Sequence, residues 1–575
     1  MTEYPHRTME DLQAGPSFVQ QPGQDELANS PGRVLDAAPA LWIYAALAGI
    51  TVVALYLRLV KAWESMRDVV AHTAPDDSFY YFEIARNIMH GRGATLDGET
   101  VTTGFHPLWL FITLPVFALD DRDLAVHLAL TIGAVLGAVT TVLVFAIVHR
   151  LVRNPRAGLL AAGVFAIHPV MVTYGARGME TSLTLCLMAL FVLGFVDSWQ
   201  APAPRAMKKY ALLGGAAGLM MLARTDTVLA LPAVLVALAA REESSMRWRG
   251  PLVMVGVASI VVAPWLVWSY LATGGIVQDS AVAGGYAARE IYIAGHADMS
   301  DVERGLRLLR YTFVDDLPSQ FWAPYPDSST PYWFAAVAGV LLMAALPSSR
   351  RSQTLRAAGL ALIPFLGPLA MLGISAGIRL YVARWYFGPL ALGVAIGMGL
   401  AANYAEGLLD DARSWISRRQ ERPRAGLRTI PSAPLYVCLY LVLSLALVRQ
   451  FRPSNFDGLW YSHPWQTEAL ETAAWLNENT PEDSRIAAYN AGIPAYFADR
   501  PVTNIDGVMN RAAYEALRDC RTRDYLRETG IDYVVDSRPM FKITDCALSL
   551  EDDLDVVAEI GTIQPVLVAK VNPAP

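Results

Sequence analysis

The strongest constraint on this 575-residue chain is a series of apolar blocks, each close to the thickness of a lipid bilayer. A hydrocarbon core of about 30 Å is crossed by roughly 20 helical residues. Blocks of that kind fall at 38–60, 124–149, 157–176, 181–198, 209–222, 227–241, 251–271, 331–347, 357–376, 387–403 and 433–450. About eleven spans follow, so the fold class is mainly α, a polytopic α-helical membrane protein. The two shortest blocks, 209–222 and 227–241, read equally as one buried hairpin, which leaves every other loop on the same side. A further block, 105–119, is short, opens with "FHPLW" and reads as a re-entrant or half helix.

Charge sets the predicted orientation. Five basic loops, "HRLVRNPR" (149–156), "PAPRAMKKY" (202–210), "REESSMRWR" (241–249), "SSRRSQTLR" (348–356) and "SRRQERPRAGLR" (417–428), share one parity. Basic loops stay cytoplasmic. The N-terminus is then expected inside the plasma (inner) membrane, with residues 1–37 a disordered polar tail. The formal net charge of −7 is modest and the basic residues flank spans, so nucleic acid is dropped as a partner. The opposite, extracytoplasmic face receives loops 61–105 and 272–330 and everything from 451 to 575. From about 466 onward, helix-like and strand-like stretches alternate, among them "RIAAYN", "VTNID" and "IDYVVD", which predicts a small α/β domain. Of four cysteines, Cys186 and Cys438 fall in spans, while Cys520 and Cys546 fall in this domain, where a disulfide is an even choice.

The unusual polar residues gather on that outer face. "PDDSFYYFEIARNIMHGRG" (75–93) carries the adjacent acids Asp76 and Asp77, then Tyr80 and Tyr81, and its spacing predicts an amphipathic helix on the membrane surface. Neighbouring side chains at a helix start diverge, so one acid can cap the helix while the other faces a cavity. A carboxylate here suits a base for a hydroxyl nucleophile or a metal ligand. "TTGFHPLW" (102–109) brings His106 to the same face, "GMETSL" (178–183) brings Glu180, and "ARTD" (223–226) brings Arg224 and Asp226. "IRLYVARWYFGPL" (378–390) adds Arg379, Arg384 and Tyr386. Each has a plain reading as interfacial aromatic, helix-end charge or snorkelling arginine. The arginines also suit a phosphate carried by a lipid.

These residues resemble, in order, the polytopic glycosyltransferases of the C superfamily (GT-C). The likeness is to the branch of dolichyl-phosphate-mannose protein mannosyltransferases and aminoarabinose transferases (families 39 and 83), and covers about 38–450. "DDSFYYFEIARNIMHGRG" stands where that branch opens its first outer loop with paired acids; "FHPLW", "ARTD" and "RWYFGPL" are similar to its later landmarks. His106 replaces the usual basic residue, one proline stands where two are usual, and the second acid is Asp where the branch often has Glu.

The resemblance implies a transferase moving a sugar from a polyprenyl-phosphate lipid to a glycan, lipid or protein acceptor. It implies Asp76 as the base with Asp77 in support, and Arg384, Arg224, His106 and Arg379 at the donor phosphate. Tyr80, Tyr81, Glu180, Asp226 and Tyr386 would line the substrate cavity. A divalent metal (Mg or Mn), held if at all by Asp76 and Asp77, stays open. Two other classes stand beside this one: a transporter or flippase of lipid-linked glycans, and a catalytically silent glycan-binding membrane protein. The 489–510 stretch is weighed both as an acceptor-binding surface and as ordinary turns built on Asn504, Asp506 and Asn510.

Overall fold

The computed structural model describes residues 33–202, 206–242, 247–317, 348–419, 464–542, 548, 550 and 553–572. The expected blocks 331–347 and 433–450, together with Cys438 and Cys546, lie outside them. Residues 1–46 and 47–575 form two compact units, and the second holds the helical bundle and the sheet domain.

Every predicted apolar block among the described residues is helical. In chain order the membrane part holds α1 (Arg33–Ala62), α2 (Asp76–Met89), α3 (Pro107–Thr113), α4 (Arg122–Val152), α5 (Pro155–Ile167), α6 (Pro169–Ala176) and α7 (Thr181–Gln200). It continues with α8 (Met207–Ala223), α9 (Leu231–Ala240), α10 (Arg249–Thr273), α11 (Asp279–Ala283), α12 (Tyr286–Ala294) and α13 (Asp301–Arg310). Three more, α14 (Arg351–Leu362), α15 (Leu366–Ile374) and α16 (Gly388–Arg419), complete it.

Six helices among the described residues are long and apolar enough to cross a membrane, or seven if a bent pair is one span. The predicted spans 209–222 and 227–241 fall short of that length. The bent pair is the block 157–176, which is not one straight helix: α5 and α6 meet at 61° around His168 and Pro169. Proline removes a backbone donor and leaves carbonyls behind it without partners. Arg58, fully buried in α1, meets two of them: its guanidinium donates to the carbonyls of Phe165 and Ala166 at 3.3 and 3.1 Å, and also to Met171 past the bend at 3.0 Å and to Ala54 in its own helix.

Two of the basic loops, 149–156 and 348–356, meet at one end of the bundle: Glu406 of α16 receives Arg156 at 3.1 Å and Arg350 at 2.7 Å, and Gln353 donates to the carbonyl of Val152.

The last domain opens with α17 (Pro464–Asn479) and builds a five-stranded sheet in the order β2-β1-β3-β5-β4. Strands β1 (Ile486–Ala488), β2 (Val502–Asn504) and β3 (Tyr533–Ser537) run parallel, as their crossover helices α18 (Gly492–Phe497), α19 (Arg511–Arg518) and α20 (Thr522–Glu528) require. An antiparallel hairpin of β4 (Leu554–Ile560) and β5 (Val566–Val571), not foreseen in the sequence, closes one side. Cys520 is disulfide-bonded and Cys186 is free and buried.

The helix 76–89 is not on a membrane surface. Ten of its fourteen residues are buried, including Phe79, Tyr80, Phe82 and Ile84. It lies between the helical bundle and the sheet domain, packing Phe79 against Tyr496 and Phe497 of α18 and Phe82 against Phe117. The predicted amphipathicity left out the second partner: a face judged polar enough for water is covered by the C-terminal domain.

Candidate active site

Helix α2 starts at Pro75, whose extended backbone (φ −67°, ψ 159°) puts Asp76 and Asp77 in the first turn. About 100° separates consecutive residues around a helix, and here that angle sends the two acids to different places. Asp76 turns to the sheet domain and caps α18: one carboxylate oxygen accepts the N–H of Gly492 at 3.1 Å, the other that of Ile493 at 2.7 Å. The approach is so close that a Cβ on residue 492 would lie 2.1 Å from the Asp76 carbonyl oxygen, so only glycine fits. Asp77 turns the other way and lines a cavity of about 440 Å³.

Four walls enclose this cavity. Asp77, Tyr80 and Tyr81 of α2 form the first. The ends of spans form the second, with Glu180, Arg224, Asp226, Arg379 and Tyr386. The loop 278–291, the first part of the long predicted loop 272–330, forms the third. The C-terminal domain forms the fourth with Asn490, Asp506, Val508, Met509 and Met540. His106, the residue before α3, lies beside them.

Nine of the eleven sequence-predicted site residues therefore meet in one cavity. Asp76 does not line it, and the Arg384 side chain lies outside the described residues although its backbone belongs to the turn 384–387.

Hydrogen bonds fix most of these groups. Arg224 donates to Glu180 at 3.0 Å and forks onto both oxygens of Asp226 at 3.1 and 2.5 Å, with its guanidinium 5.3 Å from the Tyr386 ring centre. Two carboxylates over-match its single charge. Tyr81 donates to the other Glu180 oxygen at 3.0 Å. The turn that presents Glu180 needs Gly178: its φ is +71°, and a Cβ there would meet Phe82 and Leu130 at 2.7 and 2.8 Å.

Arg379 is different. It donates to the carbonyls of Ala281 and Gly284 at 3.2 and 3.0 Å, and among the described residues no carboxylate pairs with it. Arg177, which sequence reasoning passed over, borders a second hollow of about 250 Å³ that shares Tyr381 and Trp385 with the main cavity. Its backbone carbonyl accepts the Ser78 hydroxyl at 2.7 Å, and its guanidinium makes no ion pair among the described residues.

The electrostatics single out the same groups. Burial pushes the Asp77 carboxyl up to about 7, helped by the neighbouring charges of Asp76 and Glu180 and opposed by Arg177. Burial likewise raises Asp506 to about 7 against the pull of the Val508 N–H. Burial lowers His106, which favours the neutral imidazole. The residues present do not compose a metal site: Asp76 spends both oxygens on backbone N–H groups, and no cluster of three or more His, Cys, Asp or Glu suited to a metal occurs among the described residues.

Comparison with known proteins adds the fold. Residues 107–268 match the family model of dolichyl-phosphate-mannose-protein mannosyltransferase, and residues 458–569 match a domain of unknown function, DUF8728. The archaeal oligosaccharyltransferase AglB from Archaeoglobus fulgidus, solved with an inhibitory peptide and a dolichol-phosphate, aligns over 87% of this chain and 70% of that one, with a TM-score of 0.52 at 14% identity. The chain has the GT-C fold. A second structure of the Archaeoglobus fulgidus oligosaccharyltransferase, tethered to an acceptor peptide, aligns with a TM-score of 0.53 at 15% identity, over 87% of this chain and 69% of that one. No curated protein sequence matches. The cavity residues that the sequence reading did not single out are Gln278, Tyr381 and, beside it, Arg177, while Asn490 and Asp506 fall in the 489–510 stretch weighed both as an acceptor-binding surface and as turns. Asp506 is a turn residue that also faces the cavity: it accepts the Val508 N–H at 2.9 Å.

Proposed function

We propose that this chain is an integral-membrane glycosyltransferase that moves a sugar from a polyprenyl-phosphate lipid to an acceptor hydroxyl at the extracytoplasmic face, with inversion, and that Asp77 is its base. The observation that carries this reading is the division of labour in the acid pair: Asp76 is consumed by α18, while Asp77 faces the cavity with a carboxyl held near 7. A base with that value is partly ionised at neutral pH and strong enough to take a hydroxyl proton.

The acceptor oxygen attacks the anomeric carbon as its proton passes to Asp77. The bond from that carbon to the phosphate oxygen breaks, and the electron pair leaves with polyprenyl phosphate. Charge developing on the phosphate calls for cations not already neutralised. Arg379 and Arg177 meet that condition better than Arg224, which is bound by Glu180 and Asp226. One displacement inverts the anomeric centre and needs no covalent enzyme intermediate. The charged groups cluster at one end of the bundle, which favours the transferase over a transporter, whose charges line a path across the membrane.

The test uses the full chain in nanodiscs with a panel of labelled donors, dolichyl-phosphate mannose and polyprenyl-phosphate pentoses. Asp77→Asn is expected to lower kcat by about 10²-fold or more while donor binding persists. Equal transfer by Asp77→Asn and wild type would overturn the assignment.

A further inference from the structure

The C-terminal domain is fixed against the membrane part at several points around the cavity. Arg122 pairs with Asp499 at 2.7 Å, Arg511 with Asp279 at 3.6 Å, and Arg485 with Glu99. The Tyr80 hydroxyl accepts the Ala491 N–H at 3.1 Å and the Asn504 amide at 3.3 Å. Most tellingly, a Cβ on Gly104 would stand 2.2 Å from the Val508 carbonyl oxygen. The loop that carries Asp506 therefore rests backbone to backbone on the loop that carries His106.

That loop is also rigid within its own domain. The Asn504 side-chain oxygen accepts the N–H groups of Gly507 and Met509, both at 3.1 Å, and Gly507 holds φ at +91° to make the turn. Asp506 projects from this braced turn into the cavity. It accepts one backbone N–H, from Val508, and the Asn504 side chain, which leaves acceptor lone pairs over, and it has no ion-pair partner among the described residues. Next to it, Asn490 is gripped through its backbone N–H and its side-chain amide by Asp536. A fixed carboxylate with unused acceptor capacity inside a polar cavity is costly to keep unless a donor-bearing ligand meets it.

Geometry limits which ligand that is. A donor lipid must lay its isoprenoid in the bilayer, so its phosphate lies against the span ends, where Arg379 and Tyr386 stand. Asp506 comes from the wall given by the soluble domain, close enough to Asp77 for the two charges to act on each other. Resting on the transferase reading above, we infer that Asp506 is an acceptor-binding residue, accepting hydrogen bonds from the vicinal hydroxyls of a neutral glycan and so turning one further hydroxyl toward Asp77.

The experiment compares full-length wild type, Asp506→Asn and Asp506→Glu in nanodiscs, with the same donor panel and neutral manno-oligosaccharides as acceptors. Asp506→Asn is expected to raise the acceptor KM about tenfold or more while the donor KM stays within about twofold, and Asp506→Glu to recover part of the loss. An acceptor KM within about twofold of wild type overturns the inference, as does a parallel rise of both KM values with a lower Tm, which marks a merely structural residue. Transfer by wild type to a Ser/Thr peptide but not to the glycan overturns the ligand class. Failure of wild type to turn over any donor in the panel is seen before the variants are compared and overturns the transferase reading itself.

Discussion

The carboxylate of Asp76 accepts the backbone N–H of Ile493 at 2.7 Å, across 417 positions of sequence. The loop that follows α1 and the last domain are joined at that bond, beside the acid that faces the cavity. Asp76→Asn keeps the shape but has one acceptor oxygen for two N–H groups, and its amide faces the second donor. Leaving one buried donor unmet costs about 1–3 kcal/mol. Asp76→Asn is therefore expected to lower the Tm, with a smaller loss of kcat than Asp77→Asn. Differential scanning fluorimetry and the transfer assay on one preparation of each variant check both.

Activity and stability are expected to run in opposite directions with pH. Asp76, Asp77 and Asp506 rise to about 7, and Asp536 to about 6, from an ordinary carboxyl value of 3.8. Burial is the first cause in each. The folded state thus holds these protons more tightly than the unfolded chain, so stability declines as pH climbs from about 4 to about 7 and levels off above. A base needs the opposite, because only ionised Asp77 accepts a proton. The kcat/KM for transfer is expected to rise through pH about 7 with unit slope below it, while the Tm is higher at about pH 5 than at about pH 8. A flat profile between those values would remove Asp77 from the chemistry.

Much of this site was legible in the sequence because its residues sit at span ends. There a charge is conspicuous against apolar neighbours, as with Glu180, Arg224, Asp226 and Arg379. The partition of Asp76 and Asp77 was not legible, because adjacent acids differ only in where a helix turn points them, and the partner of Asp76 lies in another domain. For Asp506 the sequence left two readings open for a related reason: in "NIDGVMN" its turn chemistry accounts for it as well as an acceptor-binding role does, and only the packing of Gly104 on Val508 puts that turn into the cavity. The break at Pro169 was hidden because α5 and α6 are equally apolar, so hydropathy reads them as one block.

The two arginines of the span-end wall are expected to fail differently. Arg224 is nearly fully buried and holds Glu180 and Asp226 together. Arg224→Ala leaves two carboxylates without their cation, a loss of about 3–5 kcal/mol, and is expected to reduce expression and Tm before any kinetic effect is measured. Arg379 binds two carbonyls, so Arg379→Ala is expected to fold and to raise the donor KM about tenfold, with the acceptor KM little changed. Steady-state kinetics with each substrate varied in turn separates the two. A rise in acceptor KM alone for Arg379→Ala would contradict its place at the phosphate.

Arg58 offers a test of how the broken span is held. No substrate group lies near it; its four donor contacts go to the carbonyls around the bend between α5 and α6 and to one in its own helix. The Cα atoms of Gly137 and Gly175 crowd it so closely that a Cβ at either would lie within 2.5 Å of its Nε, so the site is shaped around this side chain. Arg58→Met keeps much of the volume but takes the Arg58 donors away from the carbonyls of Phe165, Ala166 and Met171 in an apolar setting. Interhelical hydrogen bonds in membranes average less than about 1 kcal/mol each, and losing several together is expected to cost about 2–3 kcal/mol. The effect reaches the active site through the chain itself, because α6 ends at Ala176 and the next four residues are Arg177, Gly178, Met179 and Glu180. Arg58→Met is therefore expected to lower Tm and kcat together. Arg58→Lys, which restores one point donor and the charge, is expected to recover only part of the stability because a lysine cannot fork across three carbonyls. A full recovery by lysine would show that charge, and not the fan of hydrogen bonds, holds the bend.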